Sequence, residues 1–502
     1  MRALGGGVTQ FSIAGGNPEA KVSQTDLGAF IQDEWRIKPN FTMTLGLRYE
    51  RQTNISSNFN FAPRIFFAWA PGGTSVGTGP GGPPGASQPK MVIRAGVGFF
   101  YDRLGERATL FEHRFNGINQ LDFRVANPAV LDLVTFSLNG VSNVPTAEVL
   151  AAFSAPQIVR RVADDFQAPT FTMAAINIER QLPGKITLFL VGFNYRGNHL
   201  LRIRNINAPL PGAFDPNNPS AAVRPFGNIG DIYYYESSAR FNDYRAFGGI
   251  RRQVGRGISV FANFGFGKGK ADTDCIFGSI NSCFPANSYD ASNEYSRVSF
   301  IPSRSFFFGG TIPIPKVGLT LNPFVVWQAG RPFNIVTGRD TNGDGLFTER
   351  PAFATASTDL ADLKRTRLGD FDLNPAPGQE LIPRNFGTGP SFFSVNLGIS
   401  RSITFGDSGQ AVAPPAPAPA AGTQGAPPRQ GGGPKPEKRY NMTFSVNIQN
   451  LLNTTNLNQP IGNLSSPRFG ESTSTANSFG FGPGGSAAAG NRRIQVQLRF
   501  SF

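Results

Sequence analysis

The stretch FTMTLGLRYER, residues 41–51, places Phe41, Met43, Leu45, Leu47 and Tyr49 on one side. Thr42, Thr44, Gly46, Arg48 and Glu50 fall on the other. This alternation with a period of two marks a strand with one apolar and one polar face. YNMTFSVNIQN (440–450) and FSVNLGISRSITF (393–405) repeat the pattern, with Arg401 as the exception. The length of these runs is what constrains the fold. A globular strand has about 5–6 residues, whereas a tilted strand crossing a bilayer needs about 9–11.

Reading the whole chain this way predicts strands at 25–36, 41–51, 61–70, 91–101, 170–181, 185–196, 242–252, 257–267, 301–312, 317–329, 391–405, 440–450 and 492–502. DIYYYE at 231–236 is a further candidate. Tight connections carry turn chemistry: KPN (38–40), LPGK (182–185), VGRG (254–257) and IPIPK (312–316). Proline presets φ and glycine supplies positive φ, so each suits a hairpin. Most connections on the other side are long: 102–169, 197–241, 268–300, 330–390 and 451–491. Short turns on one side and long loops on the other is the layout of an outer-membrane barrel. Two Pro/Gly-rich stretches, 70–90 and 411–438, fall on the tight-turn side and read as disordered periplasmic insertions.

Alternation alone also fits a soluble sandwich. Three features favour the membrane: long strands, two-sided loop lengths, and aromatics near strand ends (98–103, Trp35, Trp69, Trp327), where interfacial girdles sit. Charged residues make up 16% of the chain, below the roughly 25% of soluble domains. No apolar run reaches about 18 residues, so no spanning helix is expected. The net charge of +14 is scattered over strands and strand ends and forms no nucleic-acid motif. The opening MRALGGGVTQFSIAGG has no apolar core of about 7–15 residues and is not a secretory signal, so an export signal is expected upstream.

Candidate sites are few. RDTNGDGLFTERP (339–351) sets Asp340, Asn342 and Asp344 at alternate positions before Gly345, the opening of an EF-hand-type Ca²⁺ loop. The twelfth position is Pro351, and Glu349 comes two positions early. The loop is either a polar surface turn or a Ca²⁺-stabilised extracellular loop; no other cofactor is expected. DIYYYESSARFNDYR (231–245) places Tyr233, Tyr234, Tyr235, Arg240 and Tyr244 in or beside a long loop. Such side chains suit contact with a solute and equally suit a membrane girdle. Cys275 and Cys283 either close a small disulfide ring or stay as free thiols. The two histidines, His113 and His199, lie far apart, and no nucleophile–base pair, zinc spacing or phosphate loop occurs. No catalytic residue is expected.

Several stretches together resemble the TonB-dependent outer-membrane receptors, in particular the Oar-like group. They are LGAFIQDEWRIKPNFTMTLGLRYE (27–50), NFAPRIFFAWAP (60–71), IRAGVGFFYDR (93–103), INIERQLPG (176–184), LLRIRNINAP (200–209), VNIQNLLNTTN (446–456) and the C-terminal strand. The resemblance covers only the later portion of that barrel. The family's signal, plug and TonB-engaging segment have no counterpart. It implies an all-β transmembrane antiparallel barrel, present in part as about 13–14 strands of a larger one, with 1–502 as a single barrel domain in the outer membrane of a Gram-negative bacterium. Its implied partners are outer-membrane lipid, the barrel-assembly machinery, the TonB complex through the missing N-terminal region, and a scarce solute of siderophore, glycan or peptide type. The alternatives are a passive porin- or adhesin-like barrel and a secreted soluble β-rich carbohydrate-binding protein.

The strand count is odd, so the first and last strands run the same way and cannot pair antiparallel. A sheet left open in lipid is costly, because each unsatisfied backbone group costs several kcal/mol. The chain ends RRIQVQLRFSF, with Ile494, Val496, Leu498, Phe500 and Phe502 on the face expected to meet lipid. A terminal phenylalanine after such a strand resembles the signal read by the outer-membrane assembly machinery. Deleting Phe502 from the full-length protein is expected to lower outer-membrane insertion, scored by surface labelling; unchanged surface levels contradict the signal reading.

Overall fold

The computed structural model describes residues 11–72, 89–125, 157–215, 218–255, 257–276, 283–376, 378–406, 440–476 and 490–501, with short pieces between 135 and 149. The stretch 411–438, all but the ends of 70–90, and Phe502 lie outside the described residues.

The long alternating runs form one antiparallel meander. Its strands are β1 (Asp26–Lys38), β2 (Phe41–Gln52), β3 (Asn60–Trp69), β4 (Met91–Tyr101), β5 (Thr170–Leu182), β6 (Ile186–Asn205) and β7 (Gly230–Val254). The meander continues through β8 (Ile258–Ala271), β9 (Arg304–Ile314), β10 (Leu319–Gln328), β11 (Phe392–Phe405), β12 (Tyr440–Gln449) and β13 (Arg493–Ser501). Each pairs with its sequence neighbours, so hydrogen bonds lost to water within one strand are replaced by the next.

Register carries the apolar face from strand to strand. Ile448, Val446, Phe444 and Met442 oppose Ile494, Val496, Leu498 and Phe500. Leu321 opposes Ile399, which opposes Val446. These side chains face outward with nothing over them: Leu498 is 64% exposed and Val496 61% exposed. Aromatics mark the edges of this band. Phe405, Tyr440 and Phe500 cluster at the turn side, with ring centroids 5.5–6.3 Å apart. Trp327 and Phe393 oppose each other at the loop side.

The opposite face explains why phenylalanine and glycine are both abundant, at 46 and 59 residues. Phe66 opposes Gly96, Phe189 opposes Gly249, Phe247 opposes Gly265 and Phe261 opposes Gly309. Each ring lies across the neighbouring glycine, where a Cβ would collide. At Gly265 that Cβ would sit 2.7 Å from the Phe247 ring and 2.7 Å from Ser305 Oγ. The rings thereby cover backbone that has no side chain of its own.

Two strands run further than the sequence pattern indicates. β6 continues to Asn205 through register shifts between Gly197 and Arg202, with His199 at φ 55°. β7 begins at Gly230, so the predicted loop 197–241 shrinks to 206–229. The alternation is hidden there because both faces are covered. Ile232, Tyr233 and Tyr235 are all buried, and Gln157–Val162 pairs in parallel alongside Gly230–Tyr235.

β1 pairs with β2 and β13 with β12, and among the described residues neither has a second partner strand. Every residue of both is exposed. Both edges therefore stand open, and with thirteen alternating strands they run in the same direction.

Gly265→Ala is expected to destabilise the sheet by about 1–3 kcal/mol through overpacking. Phe247→Ala in the same chain should relieve part of that loss. Urea midpoints of detergent-refolded protein across the four-variant cycle measure it, and strictly additive losses would show that ring and glycine are not coupled.

Candidate functional site

Among the described residues, the buried apolar cores lie at the loop-side strand ends and in the loops packed on them. One packs Ile158, Phe166, Leu201, Ile203, Tyr233 and Tyr235 around Cys275 and Cys283. A second gathers Phe171, Leu200, Phe241 and Val298 at the loop-side strand ends. A third holds Phe333, Ile335, Phe371, Leu373, Ile382 and Leu464. The structure joins Cys275 and Cys283 as a disulfide, with Cα atoms 5.2 Å apart. The ring it closes anchors loop 272–303 against the extensions of β6 and β7.

Buried and half-buried ion pairs stitch these loops together. Arg202 meets Asp272 at 3.0 Å, and Arg204 meets Glu236 at 2.6 Å. Arg350 meets Glu294 at 3.0 Å, while Arg384 reaches Asp274 at 2.7 Å and Glu294 at 3.7 Å. The last three contacts bind loop 329–391 to loop 272–303. Burial lowers the Arg350 pKa, and the Arg384 charge acts the same way against the pull of Glu294. A polar cavity of about 330 Å³ opens between the two loops, with Asp272, Asp274, Glu294, Arg350, Arg384 and Gln459 in its wall.

The residues singled out at 231–245 divide. Tyr233 and Tyr235 are not loop contacts: they lie on β7, and Tyr235 is 2% exposed. Tyr233 stacks edge-on to Phe284 at 4.7 Å. Arg204 lies opposite Tyr234, which is half-buried. Arg240 pairs with Asp272 at 3.5 Å and lies over the Tyr295 ring. Tyr244 is 59% exposed on the outer face, in the girdle position. The structure thus separates these five side chains instead of converging them on one pocket.

It does bring together the carboxylates of 340–349. One oxygen from each of Asp340, Asp344 and Glu349 lies within 4.8 Å of the others. Two glycines at positive φ, Gly343 (71°) and Gly345 (70°), fold the chain tightly enough to do this. Gly343 N and Gly345 N donate to the two oxygens of Asp340 at 2.7 and 2.9 Å. Leu346 N donates to Asp344 Oδ1 at 2.8 Å, and Thr341 N to Glu349 Oε1 at 3.0 Å. Asn342 braces Asp344: its Oδ1 accepts from Asp344 N, and its Nδ2 donates to Ala286 O and Asp344 Oδ2. Burial above all, with help from Asp340 and Asp231, pushes Asp344 up to about 7. Burial, then the Asp344 charge, pushes Glu349 up to about 8.

The cluster sits where three loops meet. Arg224 Nη2 donates to Gly343 O at 2.9 Å and its Nη1 pairs with Asp231 at 3.1 Å. Asn205 Nδ2 donates to Asp231 Oδ1 at 2.9 Å, and Thr348 Oγ1 to Pro285 O at 3.2 Å. Nothing local in the sequence marks Asp231, Arg224 and Asn205 as neighbours of this turn, and the fold brings them here.

A meander of membrane-length strands, apolar outside and capped by packed loops, is the wall of a barrel. The family model described as "Outer membrane beta barrel domain" matches residues 2–412. The chain belongs to that family. It is an all-β outer-membrane protein, which sets aside the soluble secreted reading. Its long loops are extracellular and its tight turns periplasmic, as in such barrels generally. No curated protein matches the chain. Among solved structures it is similar to the outer membrane transporter YddB of Escherichia coli, at 12% identity and a TM-score of 0.49. It is also similar to the FrpB iron transporter of Neisseria meningitidis (11%, 0.42) and to a mutant of the ferric enterobactin receptor PfeA of Pseudomonas aeruginosa (11%, 0.46). Each match covers 95% of this chain and 45% of the other, so the chain spans less than half their length.

Arg384→Ala leaves Asp274 without its guanidinium and Glu294 with Arg350 alone, a loss of about 3–5 kcal/mol for a buried pair. Loop 329–391 should then become protease-sensitive on intact cells while the amount of protein in the outer membrane stays the same. Resistance equal to wild type would show that the pair does not hold the loops.

Proposed function

We propose that this chain is the later part of the barrel of a TonB-dependent outer-membrane transporter of the Oar-like group. The observation that carries the reading is the pair of open, parallel-running edges at β1 and β13. Bacterial single-chain barrels have an even number of antiparallel strands. An odd number of further strands is therefore needed to close this one. Barrels of about 22 strands are the plugged transporters of the outer membrane. The stretches at 27–50, 176–184, 200–209 and 446–456 support the Oar-like assignment.

In this reading the extracellular loops receive a large or scarce solute of siderophore, glycan or peptide type. The solute passes through the lumen when the energy-coupling complex displaces a plug. The chain supplies shape, loop contacts and a polar inner wall, and performs no chemical step. The packed loop layer favours a fixed binding surface, since its ion pairs are desolvated and its segments share cores.

A plugged transporter and a passive porin differ in conductance. Protein purified from outer membranes and placed in planar bilayers is expected to show no steady current, and to open only when denaturant loosens the plug. A steady ohmic current in buffer alone would overturn the transporter reading in favour of a porin.

A further inference from the structure

We propose that Asp340, Asp344 and Glu349 form a Ca²⁺ site that fastens the extracellular loops to one another. Their ligand oxygens lie within 4.8 Å of each other, about the span of two opposed Ca²⁺–oxygen bonds. Glu349 is only 8% exposed. Its Oε2 is buried and has no hydrogen-bond partner among the described residues, while Oε1 accepts from Thr341 N. A buried carboxylate oxygen without a donor is costly unless a cation meets it.

The neighbouring guanidiniums are committed elsewhere. Arg339 pairs with Asp362, Arg350 with Glu294 and Arg224 with Asp231. No ion pair to Glu349 occurs among the described residues.

The donor set selects the kind of ion. All three groups are hard carboxylate oxygens, and Cys275 and Cys283 are tied up in their disulfide. That disfavours the soft metals and leaves Ca²⁺, Mg²⁺ or Mn²⁺. The loop opens like an EF-hand, with Gly345 at the sharp turn and its N–H on Asp340. It departs from one at the far end, where Glu349 closes the set in place of an acid at 351. An irregular set of this kind suits the flexible shell of Ca²⁺ better than the strict octahedron of Mg²⁺.

The site's position gives it a task. Loop 206–229 reaches it through Arg224, and loop 272–303 through Ala286 and Pro285. A bound ion holds residues 340–349 rigid, and with them both neighbouring loops. The proposal does not depend on energy coupling and holds equally for a passive barrel.

The test uses protein purified from outer membranes in detergent, stripped with EGTA and titrated with CaCl₂ by calorimetry. One Ca²⁺ per chain is expected, with a Kd of about 10⁻⁴–10⁻³ M, the range of extracellular modules. Ca²⁺ should also slow proteolysis within 329–391, and Mg²⁺ at the same concentration should not. Glu349→Gln should weaken binding about tenfold or more by removing one ligand charge. It should abolish the protection, yet be cleaved no faster than wild type in EGTA. Asp370→Asn, at an exposed acid of the same loop, should behave as wild type. No Ca²⁺ binding by wild type, equal effects of Mg²⁺, or unchanged binding in Glu349→Gln would each overturn the proposal. The wild-type titration decides the matter alone if a variant fails to reach the outer membrane.

Discussion

Inside a bilayer no water is present to receive a backbone N–H or C=O, so each strand must find its hydrogen bonds on its neighbours. That requirement organises this molecule. It sets the membrane-spanning length of the strands, their strict antiparallel order, and the register that keeps Leu321, Ile399 and Val446 on one face. It also makes the open edges informative. In a soluble sheet an exposed edge is a hazard managed by charge or bulges. In lipid, a whole edge such as that of β13 has no such remedy, and lateral closure is the physical answer.

With the apolar face turned to lipid, ordinary core formation moves elsewhere. The packed clusters lie in the loop layer, where water is available as the opposing solvent and hydrophobic burial has its usual driving force. Along the wall, cohesion comes from register and from close contacts such as Phe261 across Gly309. The loop layer adds desolvated ion pairs. Such pairs contribute little net stability against an apolar alternative, but losing one partner is expensive. Arg384 therefore acts chiefly to specify which loops meet.

Much of the wall was legible in the sequence because lipid on one side and a polar lumen on the other impose strict alternation. All thirteen strands fall where the period-two pattern places them, within a few residues at their membrane-embedded parts. The pattern fails where that environment ends. Beyond Gly197 and before Asn242 both faces of β6 and β7 are covered by loops, so DIYYYE loses the alternation that would have joined it to its strand. The same cover explains why Tyr233 and Tyr235 read as loop aromatics but are core. The carboxylates at 340, 344 and 349 were legible because they share one tight turn fixed by Gly343 and Gly345. Asn205, Arg224 and Asp231, which brace that turn, were not: their contacts to it span more than a hundred residues of chain.

The extended halves of β6 and β7 connect these two regimes. They begin in the wall as an ordinary hairpin around 183–185 and leave it as the stem of the loop layer. The register shifts near Leu200 fall at the change of surroundings, where a bulge re-aims the strand without breaking the ladder. Above that point Arg202 and Arg204 hold Asp272 and Glu236, and Asn205 holds Asp231 beside the acidic cluster. Any displacement of the cluster is thus resisted by a continuous hydrogen-bonded pair of strands rooted in the membrane wall. The place of this loop layer is therefore set by the same strands that build the wall.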